Sequence, residues 1–399
     1  MGIELNNDQI FAGYAGETWY KKQDKQVFEI AGSAGTGKTT IIMYLIERLG
    51  LDLDQVLFLS FMGKAACRMA MEGLPAKTIH SAIYRYEKKI LRDERGRIVY
   101  DDNNRPKKVG QFVLKDKIGK GIKLIVLDEG GTVSDKLAED LLSFGIPVIV
   151  LGDLNQLPPV FGKSYFLKEP DIILTKIMRQ EEGNPIVYLA KRVLENRPLN
   201  IGVYGSSEVI PRSSLKEFHF TRSDVVLTET NRLRWNVNEY FRKHIKKYKQ
   251  LDFPHVGEKV ICRKNNWSRS IKKNFYLTNG MSGFVYDVFK STFNGKTMVM
   301  DFRPDFIDGV FKNIKFNYKY MYALPSTVNY EDEASMPAYM RDIHTDRFEY
   351  AYAITVHLSQ GSQYNRVLYL KEGIVGGSDQ QKLVYTAITR AIDGITIVV

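Results

Sequence analysis

The chain has 399 residues, of which 44 % are hydrophobic and 26 % charged. That balance excludes a wholly disordered chain, and the length allows two large domains with smaller insertions. A formal net charge of +11 favours an acidic polymer as partner, because each Lys or Arg that meets a phosphate releases a counterion.

Residues 1–20 are polar and lack the apolar stretch of a signal peptide. A β-branched run at 27–31 predicts a strand. Gly32-Ser-Ala-Gly-Thr-Gly37-Lys38-Thr39 follows it and matches G-x-x-x-x-G-K-[ST] in full. A helix is predicted over 39–49. Strand, glycine-rich loop and helix N-terminus together let backbone N–H groups and the helix dipole hold phosphate oxygens. Gly32, Ala34, Gly35, Thr36, Gly37, Lys38, Thr39 and Thr40 are therefore the candidate nucleotide-binding residues. Lys38 is expected to reach the β- and γ-phosphates, and the Thr39 hydroxyl to ligate Mg2+.

Apolar runs at 56–60, 123–127, 148–151 and 172–174, with a helix over 64–71, continue the alternation. They imply a parallel sheet in an α/β fold. Residues 84–121 interrupt it with charge and with turn signals at 93–96 and 101–106, which predicts an inserted β-hairpin. The strand at 123–127 runs into Asp128-Glu129. Beside a phosphate loop, Asp128 is the candidate Mg2+ ligand and Glu129 the group that positions an attacking water. A nucleotide kinase needs no such base, so the pair favours hydrolysis. The strand at 148–151 leads to Gly152-Asp153-Leu-Asn-Gln156-Leu-Pro-Pro159, where Gln156 is the candidate γ-phosphate sensor. Taken alone, the same stretch reads as an ordinary Asp-Asn turn.

A second α/β pattern starts with a strand at 225–228 and a helix over 233–245. Residues 251–343 carry short strands with turns at Asn279-Gly280 and Asn294-Gly295, which predict a small β-barrel. The α/β pattern returns with strands at 350–354, 366–370 and 395–399 and a helix over 380–391. Cys67 and Cys262 lie far apart and show no metal-ligand spacing, which fits a reducing compartment and no structural metal. No apolar run approaches the ~18 residues of a membrane span.

The order of these motifs resembles superfamily 1B DNA helicases of the RecD/Dda type, and the likeness covers nearly the whole chain. The phosphate loop stands at motif I, Ser60 to Ala66 at Ia, Thr78-Ile-His80 at Ib, Asp128-Glu129 at II and Gly152 to Pro159 at III. Leu174-Thr-Lys-Ile-Met-Arg179-Gln180 is similar to motif IV, and Ile354-Thr355-Val-His357-Leu-Ser359-Gln360-Gly361-Ser362 to motif V. Val384-Tyr385-Thr386-Ala-Ile-Thr389-Arg390-Ala391 is similar to motif VI.

The resemblance implies an α/β fold of two RecA-like P-loop lobes with parallel sheets. It implies a pin hairpin inserted in the first lobe and an SH3-like β-barrel inserted in the second. Lobe 1A would take 1–84 and 122–175, the pin 85–121, lobe 2A 176–250 and 346–399, and the barrel 251–345. Gln9 falls where the family reads adenine, and Gly361 joins the nucleotide set. Arg179 and Arg390 would face the γ-phosphate across the cleft; alone, each reads as a surface salt bridge. Single-stranded DNA would meet Ser60, Phe61, Thr78 and His80 on the first lobe and Asn231, Thr355, His357 and Ser359 on the second.

The implied activity is an ATP- and Mg2+-dependent DNA helicase moving 5′→3′, active at single-strand/duplex junctions in replication, recombination or repair. A monomer in the cytoplasm is expected, with single-strand-binding or replisome proteins as possible partners and no membrane. The short form is similar to phage stand-alone helicases, whose cytoplasm would be the bacterial host's. Three positions depart from the pattern: Gly130-Gly131 after the acid pair, which adds local freedom, Phe61-Met62 in motif Ia, and Gln363 after motif V. A single-strand translocase and a nucleotide-regulated binding module remain as alternatives. RNA also stays open as substrate, because phosphate contacts do not read the 2′-OH.

Overall fold

A computed structural model describes every residue except 1–4, 34, 94, 101–103, 105, 107, 159–162, 176–183, 273–274, 291–296, 306, 319–320, 322–344 and 374–376. The N-terminal lobe runs through α1 (Asn7–Lys22), β1 (Val27–Gly32), α2 (Lys38–Arg48), β2 (Val56–Ser60), α3 (Gly63–Met71), β3 (Ala76–Thr78) and α4 (Ile79–Ile83). It continues through β4 (Tyr84–Ile90), β5 (Lys108–Leu114), β6 (Leu124–Asp128), α5 (Asp135–Leu142), β7 (Val148–Gly152) and β8 (Ile172–Leu174). Six strands pair in parallel in the order β3-β2-β6-β7-β1-β8.

The inner strands β2, β6 and β7 read as continuous apolar runs because both faces of the sheet are covered there, while the edge strands β3 and β8 expose Lys77 and Ile173. Leu124 and Val126 pack with Ile41 and Leu45 of α2 on one face. Ile125 and Leu127 pack with Ile79, Leu137 and Leu141 on the other. The predicted insertion is an antiparallel β4–β5 hairpin, with Tyr84 opposite Leu114 and Ile90 opposite Lys108. Its turn at 93–96 is held by Asp93 Oδ1, which accepts from the Arg95 and Arg97 N–H groups at 2.9 Å each.

The C-terminal lobe begins with α6 (Pro185–Leu194), β9 (Gly202–Tyr204), β10 (Ser207–Ile210), α7 (Glu217–Thr221), β11 (Val225–Thr228) and α8 (Asn231–Tyr240). A π-helical turn, Phe241–Ile245, extends α8. Seven strands then form the inserted unit: β12 (Lys259–Cys262), β13 (Asn266–Lys272), β14 (Phe275–Leu277), β15 (Ser282–Lys290), β16 (Thr297–Pro304), β17 (Phe311–Asn317) and β18 (Phe348–Tyr350). The lobe resumes with β19 (Ala353–Thr355), β20 (Tyr364–Leu370), α9 (Gly377–Ile388) and β21 (Ala391–Val398).

Its sheet has the order β19-β11-β20-β21-β10-β9, parallel except for the β9–β10 hairpin. The inserted unit is an antiparallel sheet, β17-β16-β15-β12-β18, beside a β13–β14 hairpin. A bridge from Phe316 to Asp346 brings its two edges together. Gly280 takes φ 86° in the expected Asn-Gly turn, while Asn294-Gly295 lies outside the described residues.

The single strand expected at 350–354 is two strands in different sheets. Tyr350 pairs with Val260 in the inserted sheet, and Ala353 with Val226 in the lobe. Buried ion pairs fasten the insertion to α8 and its extension: Arg234 with Glu349, and Arg242 with Glu258.

Candidate active site between the two lobes

The phosphate loop lies between β1 and α2, at the C-terminal edge of the sheet. Gly35 and Gly37 take φ 86° and 78°, a left-handed backbone that turns N–H groups inward and that glycine adopts without strain. The Lys38 ammonium donates to the carbonyls of Gly32 at 2.6 Å and Ser33 at 3.1 Å. Thr36 Oγ1 donates to the Ser33 carbonyl, Thr39 is exposed in the first turn of α2, and Thr40 beside it is half-buried. Ala34 lies outside the described residues. Gln9 reaches the loop from α1: its Nε2 donates to the Thr36 carbonyl at 3.1 Å, and its Oε1 accepts from the Asn6 N–H at 3.0 Å. A Cβ at position 37 would overlap Gln9 Nε2, so the glycine is also a packing requirement.

At the end of β6, Asp128 Oδ1 accepts from the Glu129 N–H at 2.9 Å. Glu129 itself has φ 56°, a left-handed conformation rare outside glycine and typical of strained functional positions. Burial and then the neighbouring Asp128 push the Glu129 carboxyl above its usual range, while Arg390, Lys38 and Arg68 oppose the shift. The freedom expected of Gly130 is not what the fold uses. A Cβ there would overlap Val150 Cγ1, so Gly130 is a close-packing residue, whereas Gly131 has room.

Arg390 comes from the second lobe and is 3 % exposed. It donates to the Thr386 carbonyl at 3.1 Å, the Ser362 carbonyl at 3.2 Å and Thr389 Oγ1 at 3.1 Å. Burial disfavours its charge, and the Glu129 carboxylate across the cleft supports it. Arg179 lies outside the described residues. Gln156 stands on the loop after β7 with its Oε1 buried and without a hydrogen-bond partner among the described residues. Gly361, expected at the nucleotide, packs beside α3: a Cβ there would sit 3.0 Å from Ala65 Cβ.

The residues expected along a strand divide in two. Phe61 and His80 are brought together, with ring centroids 6.1 Å apart, and Tyr84 and Phe112 of the hairpin join them. Beside them a pocket of about 340 Å3 is walled by α3, by the hairpin, and by Tyr276 and Thr278 of the inserted sheet. Asn231 is exposed at the start of α8, and His357 is half-buried. Burial lowers the imidazole pKa of both His80 and His357.

The hydroxyls fare differently. Ser60 and Ser359 are each 0 % exposed, and Ser359 Oγ donates to the Val356 carbonyl at 2.6 Å. Thr78 Oγ1 accepts from the Ser81 N–H as the cap of α4, and Thr355 Oγ1 accepts from the Leu358 N–H. In this arrangement Ser359, Thr78 and Thr355 bond backbone groups close by in the chain, Ser60 Oγ has no hydrogen-bond partner among the described residues, and Thr78 also lines the pocket.

The helix α3 was expected, but not the part its two cations take. Its Lys64 donates to Ser282 Oγ at 3.1 Å and to the Tyr364 hydroxyl at 3.4 Å, and one turn on Arg68 lies 3.8 Å from Asp128 Oδ2. The i,i+4 spacing of two cations was the available signal.

Residues 17–211 match the family described as AAA domain, and residues 350–398 the UvrD-like helicase C-terminal domain. An ATP-dependent RecD2 DNA helicase of Deinococcus radiodurans is 24 % identical over 91 % of this chain and 46 % of its own. An uncharacterized protein of Methanocaldococcus jannaschii is 23 % identical over 91 % of this chain and 36 % of its own. The chain thus spans less than half the length of these curated relatives.

Among solved structures, that of two coordinating Pif1 helicases at forked dsDNA aligns with a TM-score of 0.55 at 19 % identity, over 99 % of this chain and 92 % of that one. Pif1 helicase from Bacteroides in complex with ADP-AlF3 and ssDNA aligns with 0.54 at 18 %, over the same shares. At these identities the likeness is one of fold.

Proposed function

We propose that this chain, which has the fold of the superfamily 1B helicases of the RecD/Pif1 type, is an ATP-dependent DNA helicase. It would move along single-stranded DNA, 5′→3′, and unwind duplex DNA at junctions in replication, recombination or repair. The observation that carries this reading is the contact of the two lobes at the site, where Tyr385 and Thr386 hydrogen-bond Asp153 and the Leu157 N–H, with Arg390 of the same segment within electrostatic reach of Glu129. Charge developing on a γ-phosphoryl group is stabilised only when both sides of such a cleft are in place. Hydrolysis is then tied to lobe motion, as a motor requires.

Lys38 and the backbone of residues 32–40 would hold the phosphates, with Gln9 at the base and Gln156 and Arg179 toward the γ-phosphate. Asp128 and Thr39 offer one carboxylate and one hydroxyl, and no cluster of three His, Cys, Asp or Glu suited to a metal occurs among the described residues. That donor set fits a cation drawing most of its ligands from phosphate and water, as Mg2+ does. Bound there, Mg2+ would neutralise phosphate charge.

Phe61, His80, Asn231 and His357 would meet a strand, the aromatic ones by stacking on bases. The β4–β5 hairpin is read as the pin and the antiparallel insertion as an SH3-like barrel guiding the DNA. The division into lobes at 1–84, 122–175, 176–250 and 346–399 follows from that reading, with β18 passing to the barrel. No described helix is long and apolar enough to cross a membrane. Monomeric action in the cytoplasm, with single-strand-binding or replisome proteins as partners, completes the proposal.

The test is steady-state ATPase with and without single-stranded oligonucleotide, beside unwinding of 5′-tailed and 3′-tailed duplexes. Stimulation with unwinding of the 5′-tailed duplex alone is expected. Lys38→Ala should lose turnover by orders of magnitude while binding oligonucleotide normally. Stimulation without unwinding would leave a translocase, and no stimulation would leave a nucleotide-regulated binding module.

A further inference from the structure

The loop that carries Gln156 is held by the opposite lobe. It begins at Asp153, whose Oδ2 accepts a hydrogen bond from the Tyr385 hydroxyl at 2.8 Å. Both residues are buried, at 6 % and 2 % exposure. At the far end of the loop, the Leu157 N–H donates to Thr386 Oγ1 at 3.2 Å, and the Leu157 carbonyl accepts from Gln360 Nε2 at 3.0 Å. The Leu157 side chain is part of the second lobe's hydrophobic core, with Ile354, Leu383 and Ile388.

Within the loop itself the described bonds are local. Asp153 Oδ1 accepts from the Asn155 N–H at 3.0 Å, and the Asp153 carbonyl from the Gln156 N–H at 3.3 Å. So Gly152 is fixed in a first-lobe strand, while Leu157, five residues on, travels with the second lobe. Gln156 lies between the two anchors, its Oε1 buried and without a hydrogen-bond partner among the described residues. A buried amide oxygen is costly unless some state of the protein pairs it.

We propose that Tyr385, Thr386 and Gln360 are positioning residues for Gln156, so that its placement is set by the second lobe. This rests on the ATP-hydrolysing reading above. A hydrogen bond is lost within a few tenths of an ångström beyond its normal length. A small shift of the second lobe therefore decides whether Gln156 reaches a γ-phosphate. Lobe closure gates hydrolysis through this loop, in addition to delivering Arg390.

The test deletes one hydroxyl at a time with little change in shape: Tyr385→Phe and Thr386→Val. Each is expected to lower kcat of strand-stimulated ATPase by about tenfold with KM for ATP within about twofold, and to lower the melting temperature by no more than the few degrees that one unpaired buried group costs. The deciding measurement places Tyr385→Phe in a Gln156→Ala background. There it should change kcat by less than about twofold, because its effect runs through Gln156.

Losses that multiply in the double variant would overturn the proposal, as would equal losses in kcat and ATP affinity. If Tyr385→Phe fails to fold, Thr386→Val in the same background decides. A wild-type chain without ATPase, or a Lys38→Ala chain with normal ATPase, sinks the underlying reading and this one together. Normal wild-type turnover with multiplying losses sinks this one alone.

Discussion

The buried guanidinium of Arg390 lies within electrostatic reach of the Glu129 carboxylate, one group on each lobe. Its N–H groups meanwhile rest on acceptors of its own lobe, the Thr386 and Ser362 carbonyls and the Thr389 hydroxyl. A residue stored this way contributes most when charge develops on the phosphoryl group. Arg390→Ala should lower kcat by about 10³-fold with KM for ATP within about threefold. Steady-state kinetics checks this, and a matching loss of nucleotide affinity would place Arg390 in ground-state binding. Arg390→Lys should not restore the rate, since a lysine cannot reproduce the planar fork of donors.

Gly130 gives a stability prediction where its sequence suggested looseness. A Cβ at this position would overlap Val150 Cγ1 in the neighbouring strand. Gly130→Ala should cost about 1–3 kcal/mol of stability, measured by urea denaturation, as overpacking does. Gly131→Ala should cost much less, because its nearest neighbour is 3.8 Å away. Adding Val150→Ala to Gly130→Ala should recover part of the loss; no recovery would mean that backbone freedom, not space, is what position 130 needs.

These residues also show where the sequence speaks and where it is silent. Runs such as 56–60, 148–151 and 225–228 were legible because a strand buried on both faces is apolar nearly throughout. The phosphate loop was legible because its chemistry fixes residue types at fixed spacing. The split of 350–354 into two sheets was not: Phe348 to Thr355 is nearly continuous in burial, so periodicity holds no mark of the crossing. Ser60 and Ser359 have the right polarity for a strand contact, and only the packed fold turns them inward. The grip on Leu157 left least trace, since its partners bind backbone groups that every residue carries.

The half-buried histidines His80 and His357 make stability pH-dependent with a definite sign. Burial lowers the pKa of His80 and His357, so the folded chain binds their protons less readily than the unfolded chain. Below the ordinary imidazole pKa of about 6.5 the unfolded state holds more protons, and stability falls as pH drops through that value. It is fully present above it. The melting temperature should therefore be lower at about pH 5.5 than at about pH 7.5, and His80→Phe, which keeps a ring beside Phe61 and Tyr84, should reduce the difference. An unchanged difference in that variant would assign the effect away from His80.

The attachment of the inserted sheet to the second lobe depends on Arg242. Its Nε donates to Glu258 Oε1 at 2.6 Å, and its remaining N–H groups meet the Leu251 and Phe253 carbonyls at 2.7 and 2.9 Å. Arg242 and Glu258 are 3 % and 0 % exposed, and the guanidinium lies 4.0 Å from the Tyr350 ring centroid. Removing one partner leaves an uncompensated buried charge, which costs about 3–5 kcal/mol, whereas replacing both by apolar residues of similar size costs far less. Glu258→Ala should thus destabilise the chain strongly in urea titrations, and Arg242→Met with Glu258→Leu should be closer to wild type. Because the pair joins α8 to the insertion, the single variant should also reduce unwinding more than single-strand-stimulated ATPase. If both activities fall together, the insertion is needed for the lobes to work at all, and its fastening to α8 has no separate part in strand separation.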